Sequence, residues 1–189
     1  MRKIAIIGGI GSGKSVVSKV LRFFGYPVYD CDSRAKCLMD NSEQIHNELV
    51  KAFGEKVIVS GSIDRKYLAN LVFNDKSLLT SLNGIVHPAV KADFEEWVTT
   101  CKSDIVFVET AILFESKMDV AVDEIWVVDA PIEERIKRVM ERDNCDRTAV
   151  QARIRMQSDL QPTCSKPISH IVNDDNHSIL RQICQLLNG

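Results

Sequence analysis

The sequence predicts an α/β fold in which helices flank a mostly parallel sheet of five strands. Two observations lead to this prediction: short apolar runs are typical of buried parallel strands, and segments with helical periodicity lie between them. The apolar runs are residues 4–7, 28–29, 105–108, 125–128 and 171–172. Chains that alternate strands and helices in this way bind ligands at the carboxyl ends of the strands. Functional residues are therefore expected directly after the runs.

The helical segments are indicated by apolar residues repeated at intervals of three and four positions. They cover residues 16–24, 34–53, 66–73, 88–100, 132–143, 147–158 and 178–187. The fourth of these segments is expected to begin at the His87-Pro88 pair, because proline is favoured at the first position of a helix. On this pattern alone, His87 is a local cap or a packing residue.

A glycine-rich segment, GGIGSGKS, comes directly after the first strand and before the first helix. Its spacing matches a phosphate-binding loop, whose glycines allow backbone N–H groups to point inward around an anion. Lys14 then reaches the outer phosphates and Ser15 binds Mg²⁺, while the following helix directs its positive end at the same place. The predicted nucleotide site comprises Gly8, Gly9, Gly11, Ser12, Gly13, Lys14, Ser15 and Val16.

Three carboxylates stand at predicted strand ends. Asp30 and Asp32 follow the second strand, where one aspartate could orient a hydroxyl acceptor and take its proton as the hydroxyl attacks a γ-phosphoryl group. The alternative is that Asp32 or Ser33 only caps the next helix. We favour Asp32 as the base, with Asp30 as a cap, a support or a ligand to Mg²⁺ through water. Glu109 ends the third strand and either holds Mg²⁺ through water or is simply a polar strand end.

The helix at 132–143 carries three arginines, Arg135, Arg138 and Arg142, near one face. Converging arginines neutralise the charge that builds on a transferred phosphoryl group. The alternative is a solvated face in which Glu134 pairs with Arg138. For Arg135 the two interpretations are equally supported, whereas Arg142 is the better functional candidate because it lies next to a predicted hinge.

Two long segments interrupt the alternation of strands and helices. Residues 33–102 are too many for one crossover helix and predict an inserted helical lobe. Residues 143–168, which are polar and contain two prolines, predict a lid in which Arg153 and Gln157 share a helix face. The chain is thus predicted to be one domain with a core formed by residues 1–32, 103–142 and 169–189.

The composition is that of a globular enzyme, with 45% hydrophobic and 26% charged residues. A net charge of −2 argues against binding to nucleic acid, which requires an excess of Lys and Arg on one face. The six cysteines form no C-x-x-C pair and no metal-ligand pattern, and no segment approaches the length of a membrane span. We therefore expect a cytoplasmic protein with a small-molecule substrate and no obligatory protein partner.

Taken together, the motifs resemble those of the dephospho-coenzyme A kinase family from end to end. The phosphate loop stands unchanged at residues 8–15, and the other family motifs follow in order across nearly all of the 189 residues. They are D-x-D at 30–32, L-D-R as I-D-R at 63–65, H-P at 87–88, a strand end with its proline at 127–131, R-D at 142–143 and R-x-x-x-Q at 153–157.

This resemblance implies ATP-dependent phosphorylation of the ribose 3′-hydroxyl of dephospho-coenzyme A, the last step of coenzyme A synthesis, with Mg²⁺ as the metal. By analogy Asp32 is the general base, Lys14 and Ser15 bind phosphates and Mg²⁺, and Arg142 contacts the nucleotide or its phosphates. The remaining residues implied by the resemblance are Arg138 for the nucleotide, and Arg65, His87, Lys91, Glu115 and Arg153 for the acceptor.

The sequence departs from the family at three places. Thr110-Ala111 stands where many relatives have Val-Pro, and Thr163 stands where they have an arginine in the second half of the lid. The D-N-x-G turn after the last strand reads Asn173-Asp174-Asp175-Asn176, with the first two residues interchanged and no glycine. Contacts of Asn173 and Asp174 on the adenine side are therefore expected to differ in detail from those of relatives.

Two alternatives share the phosphate loop. Another kinase of this type, acting on a nucleoside monophosphate or a sugar, would keep Lys14 and an aspartate but differ in the inserted lobe. A nucleotide-dependent switch would bind without any acceptor; a guanine-specific switch usually carries an Asn-Lys-x-Asp element, and the sequence contains none.

Overall fold

The computed structural model describes residues 1–73, 75–157 and 164–188. The chain divides into two compact units, Met1–Tyr29 with Cys101–Gly189, and Asp30–Thr100. Thr163 and part of the predicted lid lie outside the described residues. The predicted boundaries of core, lobe and lid stay predictions.

The predicted mostly parallel sheet is confirmed in the first unit, with five strands among the described residues. They are β1 (Arg2–Ile7), β2 (Val28–Asp30), β5 (Ile105–Glu109), β6 (Glu124–Asp129) and β7 (Ile168–Val172), in the order β2-β5-β1-β6-β7. β1 pairs in parallel with both β5 and β6, and β6 pairs in parallel with β7. β1 is therefore central, and its carboxyl end opens directly into the glycine-rich loop.

Among its described residues, this unit contains the helices α1 (Lys14–Phe23), α6 (Ile132–Asp143), α7 (Arg147–Met156) and α8 (Ile179–Asn188). Side chains of the strands, α1 and α8 form its core, in which Phe107 and Trp126 pack with ring centroids 5.1 Å apart. The indole N–H of Trp126 donates to Glu124 Oε1 at 2.7 Å, so this buried ring has its polar group satisfied. A second cluster joins α6 to α7 through Ile136, Val139 and Val150.

The second unit contains α2 (Cys31–Asn41), α3 (Glu43–Phe53), α4 (Arg65–Phe73) and α5 (Lys76–Thr100). Between α3 and α4 lies a two-stranded hairpin of β3 (Ile58–Val59) and β4 (Ser62–Ile63), which the sequence reading did not predict. Its turn residues Ser60 and Gly61 have φ of 52° and 80°, as a tight two-residue hairpin turn requires. The core of this unit is formed by Ile45, Leu49, Val57, Ile63 and Leu68.

Two helix predictions in this unit were wrong. Residues 34–53 were expected to form one helix, but Ser42 adopts an extended conformation and its side chain accepts from Ile45 N at 3.3 Å, which begins a second helix. Pro88 was expected at a helix start but lies inside α5. Asp75 caps α5 much earlier, with its Oδ1 accepting from Ser77 N at 2.8 Å, and apolar packing on both sides of Pro88 continues the helix through it.

In the described parts of the chain, no helix is both long and apolar enough to cross a membrane.

Candidate functional site

The phosphate loop connects β1 to α1 through residues with unusual backbone angles. Gly11 and Gly13 have φ of 77° and 98°, which glycine adopts without steric strain. Gly13 is the N-cap of α1 and makes no side-chain capping bond, so the positive end of this helix faces the loop. This is the arrangement of strand, loop and helix N-terminus that binds phosphate groups.

Glycine is also required here because other groups approach the loop closely. A Cβ atom built on Gly9 would overlap the guanidinium of Arg135, and one built on Gly13 would overlap the side-chain amide of Asn173. Gly11 lies against the backbone of α6, because its Cβ would come 2.5 Å from the Arg135 carbonyl oxygen. The loop is therefore enclosed by residues of α6 and of the segment after β7.

The polar groups of the loop fit a chain of phosphates. Lys14 Nζ donates to the Gly8 carbonyl oxygen at 2.7 Å, which holds the ammonium over the loop. Ser15, in the first turn of α1, is exposed and offers a hydroxyl oxygen, a ligand type suited to Mg²⁺. Ser12 is 1% exposed, and its hydroxyl has no hydrogen-bond partner among the described residues. A buried hydroxyl in this position indicates a loop shaped to receive further polar groups.

The three arginines of α6 bind different partners. Arg135 Nε donates to the Ile10 carbonyl oxygen at 3.0 Å, and burial lowers the pKa of Arg135, against the effect of Asp129. Arg138 donates to the Asn173 carbonyl oxygen at 3.2 Å and to Glu134 at 2.7 Å, so the pair with Glu134 considered from the sequence is present. Arg135 thus contacts the loop, whereas Arg138 contacts the turn after β7.

Arg142 has a different environment from the other two. Its guanidinium binds both carboxylate oxygens of Asp143, at 2.7 and 3.1 Å. Arg153 of α7 binds the same carboxylate at 2.7 Å. The hydrogen bond from Arg142 is the main cause that lowers the pKa of Asp143 to about 2, and Arg153 adds to it. Arg142 of α6 and Arg153 of α7 are therefore held together by the carboxylate of the R-D motif, to which the sequence assigned no role.

The end of α7 contacts the phosphate loop directly. Gln157 Oε1 accepts from the Ile10 backbone N–H at 2.8 Å. Gln157 lies four positions after Arg153, as in the R-x-x-x-Q pattern, but the spacing alone could not show that its amide reaches the loop.

The turn after β7 separates the two residues that were predicted together. Asn173 Nδ2 donates to the Ser12 carbonyl oxygen at 2.7 Å and so contacts the loop. Asp174 instead accepts from the backbone of Asn176 and His177 and from the His177 ring, at 2.9–3.1 Å. Asp174 therefore stabilises the turn itself, and the hydrogen bond from His177 lowers its pKa.

The carboxylates after β5 differ in exposure. Glu109 is the last residue of β5, pairs in register with Ile6 of β1, and is half-buried, whereas Glu115 is exposed. Thr110, one of the departures from the family pattern, is buried, and its hydroxyl accepts from Ile112 N at 3.1 Å. This hydroxyl therefore helps to shape the turn after β5.

In the second unit, the structure separates the roles of the two aspartates. Asp30 is the N-cap of α2: its Oδ1 accepts from the backbone of Asp32 and Ser33 at 3.0 and 3.2 Å, and its Oδ2 binds the Ser33 hydroxyl at 2.9 Å. Asp30, and not Asp32, therefore caps α2. The Asp32 side chain stands in the first turn of α2 and is exposed.

The other predicted residues of the second unit lie on α4 and α5. Arg65, at the start of α4, binds Asp40 and the Lys36 carbonyl oxygen at 2.8 and 3.0 Å. His87 and Lys91 are both half-buried, four positions apart on α5 and therefore on one face of it. A carboxylate on α2, a cation on α4 and two basic groups on α5 thus belong to one compact unit.

The fold and the loop define a class of protein, the phosphate-loop kinases. Shikimate kinase from Acinetobacter baumannii shares this fold with a TM-score of 0.54 at 11% identity, over 100% of this chain and 91% of that one. A solved Thermus thermophilus structure superposes with a TM-score of 0.84 at 34% identity, covering 99% of this chain and 96% of that one.

Sequence comparison narrows the class to one family. The dephospho-CoA kinase family model matches residues 2–178, and a dephospho-CoA kinase from Porphyromonas gingivalis is 39% identical over 99% of this chain and 93% of its own length. A Thermus thermophilus dephospho-CoA kinase is 42% identical over 82% of this chain and 74% of its own. The chain belongs to the dephospho-CoA kinase family, the kinases of the final step of coenzyme A biosynthesis.

Proposed function

We propose that this chain transfers the γ-phosphoryl group of ATP to the ribose 3′-hydroxyl of dephospho-CoA, which yields CoA and ADP. The observation that carries the proposal is the glycine-lined phosphate loop with Lys14 folded over it, in a chain that matches the family from residue 2 to residue 178.

The phosphate loop supplies the donor side of the reaction. Its backbone N–H groups and the N-terminus of α1 bind the phosphates, and Lys14 moves its ammonium from the Gly8 carbonyl to the outer phosphates. Ser15 would hold Mg²⁺, with Asp30 or Glu109 acting through water, and the ion would neutralise negative charge on the phosphates. The rest of the proposed nucleotide site comprises Gly8, Gly9, Gly11, Ser12, Gly13, Val16, Arg138, Asn173 and Asp174, the last two in the turn beside the loop.

Asp32 is the proposed base on the acceptor side. The 3′-hydroxyl oxygen attacks the γ-phosphorus, the bond from phosphorus to the β–γ bridging oxygen breaks, ADP leaves, and the hydroxyl proton passes to the Asp32 carboxylate. Because Asp30 already caps α2, the exposed Asp32 carboxylate is available for this role.

The remaining residues that we assign to the acceptor site are mostly basic. Dephospho-CoA carries a pyrophosphate, so we assign Arg65, His87 and Lys91 to the acceptor. Arg142 and Arg153, which share Asp143, would stabilise charge on the transferred group and the acceptor. Glu115 completes the proposed acceptor site.

We further propose that the reaction takes place in the cytoplasm on a small-molecule acceptor. None of the six cysteines forms a disulfide in the described structure, which agrees with a reducing compartment.

The proposal is tested by following ADP release from ATP and Mg²⁺ with dephospho-CoA as acceptor. AMP, adenosine and shikimate serve as control acceptors, and mass spectrometry measures the product. We expect ADP only with dephospho-CoA, together with a product heavier by one phosphoryl group. Turnover with a control acceptor alone would indicate a different small-molecule kinase, and ATP binding without any turnover would indicate a nucleotide switch.

A further inference from the structure

Two carbonyl groups of the phosphate loop are bound by side chains from outside the loop. Arg135 Nε donates to the Ile10 carbonyl oxygen at 3.0 Å, and Asn173 Nδ2 donates to the Ser12 carbonyl oxygen at 2.7 Å. These donors come from α6 and from the turn after β7, more than 100 residues along the chain from the loop.

These contacts determine where the neighbouring N–H groups point. In a trans peptide the C=O and the N–H of the same group point in opposite directions, and no cis peptide bond occurs among the described residues. With the Ile10 carbonyl directed at Arg135, the Gly11 N–H is directed away from Arg135. With the Ser12 carbonyl directed at Asn173, the Gly13 N–H is directed away from Asn173. Two N–H donors are thus oriented away from the enclosing groups, as an anion-binding loop requires.

A third side chain holds the loop at Ile10. Gln157 Oε1 accepts from the Ile10 N–H at 2.8 Å, so the peptide groups on both sides of this residue are fixed. The Ile10 side chain packs on the cluster of Ile136, Val139 and Val150 between α6 and α7. The first half of the loop is therefore attached to both helices.

Asn173 is itself held firmly in place. Its backbone N–H donates to the Asp129 carbonyl oxygen at 2.7 Å, and its carbonyl oxygen accepts from Arg138 at 3.2 Å. Arg138 is in turn bound to Glu134 at 2.7 Å. A donor fixed on both sides loses little conformational freedom when it binds the loop, so the contact with Ser12 is maintained at a low entropic cost.

We propose that Arg135, Gln157 and Asn173 are positioning residues that orient the phosphate loop for the phosphates before nucleotide binds. The inference rests on the proposed function, because it concerns the loop that receives ATP. It changes the interpretation of Asn173, which the family resemblance placed on the adenine side. It also gives Arg135 a function at the loop, which the sequence left as one of two equal alternatives.

The test compares a ligand that has a base with one that has none. Asn173→Ala removes the donor without changing the net charge, and Asn176→Ala, an exposed residue of the same turn, is the matched control. Steady-state kinetics give the KM for ATP and kcat, and inorganic tripolyphosphate, as a competitive inhibitor against ATP, gives Ki.

We expect Asn173→Ala to raise the KM for ATP and the Ki of tripolyphosphate by the same factor, roughly three- to tenfold, the range expected for one hydrogen bond. Asn176→Ala should change neither constant. An increase in the KM for ATP without an increase in the Ki of tripolyphosphate would mean that Asn173 contacts adenine, and it would overturn the proposal. Failure of tripolyphosphate to inhibit the wild-type enzyme would also overturn it, since a loop oriented in advance binds phosphates without a base.

Gln157→Ala provides a second variant, because this residue is half-buried and its loss leaves the core intact. It should raise both constants by a similar factor, with an unchanged melting temperature in the absence of nucleotide. If Asn173→Ala and Gln157→Ala are both active and show an unchanged KM for ATP and an unchanged Ki of tripolyphosphate, the positioning role is refuted. The proposed function would still stand in that case. A wild-type protein that neither binds ATP nor phosphorylates dephospho-CoA would refute the proposed function instead.

Discussion

The phosphate loop and the helical unit of residues 30–100 build their candidate sites in different ways. The loop places its functional groups within eight consecutive residues and attaches them through contacts with α6, α7 and the turn after β7. In the helical unit, the candidate residues are scattered over α2, α4 and α5, and Arg65 is occupied by an ion pair with Asp40. Backbone groups therefore dominate the first site and individual side chains the second.

This difference has a consequence for mutation. A site built from backbone N–H groups tolerates many side-chain changes around it, provided that the loop keeps its shape. In a site built from separate side chains, each substitution removes one defined function. We therefore expect substitutions in the helical unit to affect one kinetic constant each, and substitutions around the loop to act together on ATP.

The largest effect is expected for Asp32. Asp32→Asn removes the proposed base and should lower kcat by about 10²–10⁴-fold, with a KM for ATP close to that of wild type. Asp30→Asn is the comparison variant: asparagine caps a helix as well as aspartate, so this variant should lower kcat less than Asp32→Asn, and any loss reports a role of Asp30 toward Mg²⁺. Steady-state kinetics on both variants measure the difference. If Asp30→Asn had the larger effect on kcat, the two roles would have to be exchanged.

The next effect concerns Lys14. Lys14→Met should lower kcat/KM for ATP by about 10²–10³-fold, because the ammonium no longer stabilises charge on the transferred phosphoryl group. Lys19→Met, an exposed residue of the same helix, should have activity close to wild type. Equal activity of the two variants would show that backbone groups alone suffice at the loop, which would sharpen the contrast between the two regions.

A smaller effect is expected for Arg65. Arg65→Ala should raise the KM for dephospho-CoA roughly tenfold, the loss expected for one charged hydrogen bond, and leave the KM for ATP unchanged. Its ion pair with Asp40 is exposed and should add little to stability. Lys66→Ala, the exposed neighbour, is the control. An equal rise in both KM values would contradict the division of roles between the regions.

The smallest effect is a pH dependence at Asp143. Its pKa is lowered from 3.8 to about 2, so the ion pairs with Arg142 and Arg153 stabilise the folded state above about pH 4. This stabilisation is lost as the pH falls from 4 through 2, because the carboxylate takes up a proton. Carbon NMR titration of the carboxyl group should find the pKa near 2. A pKa near 3.8 would show that Arg142 and Arg153 do not bind this carboxylate in solution.

The five strands of the main sheet and most helix bounds could be predicted because they depend on local patterns. The segment 132–143 was predicted with the bounds of α6, and the phosphate loop was located by its spacing and its place between a strand and a helix. Predictions failed where a capping side chain or tertiary packing outweighed local preference. Ser42 divides one predicted helix by capping a second, and apolar contacts carry α5 through Pro88.

The candidate site could be predicted residue by residue only where a motif fills consecutive positions. Spacing placed Arg135, Arg138 and Arg142 on one face, but it could not show that each binds a different partner. Arg135 contacts the loop, Arg138 contacts the turn after β7, and Arg142 binds Asp143. The contact between Gln157 and Ile10 joins residues 147 positions apart, and no local signal predicts such a pair.

The order of the five main strands, the phosphate loop and the family could be predicted from the sequence, because each depends on residues close together or on motifs in the order that the family has. Only the folded structure shows which side chains hold that loop. Such choices depend on which distant groups folding brings within about 3 Å, the range of a hydrogen bond, and periodicity carries no information about them.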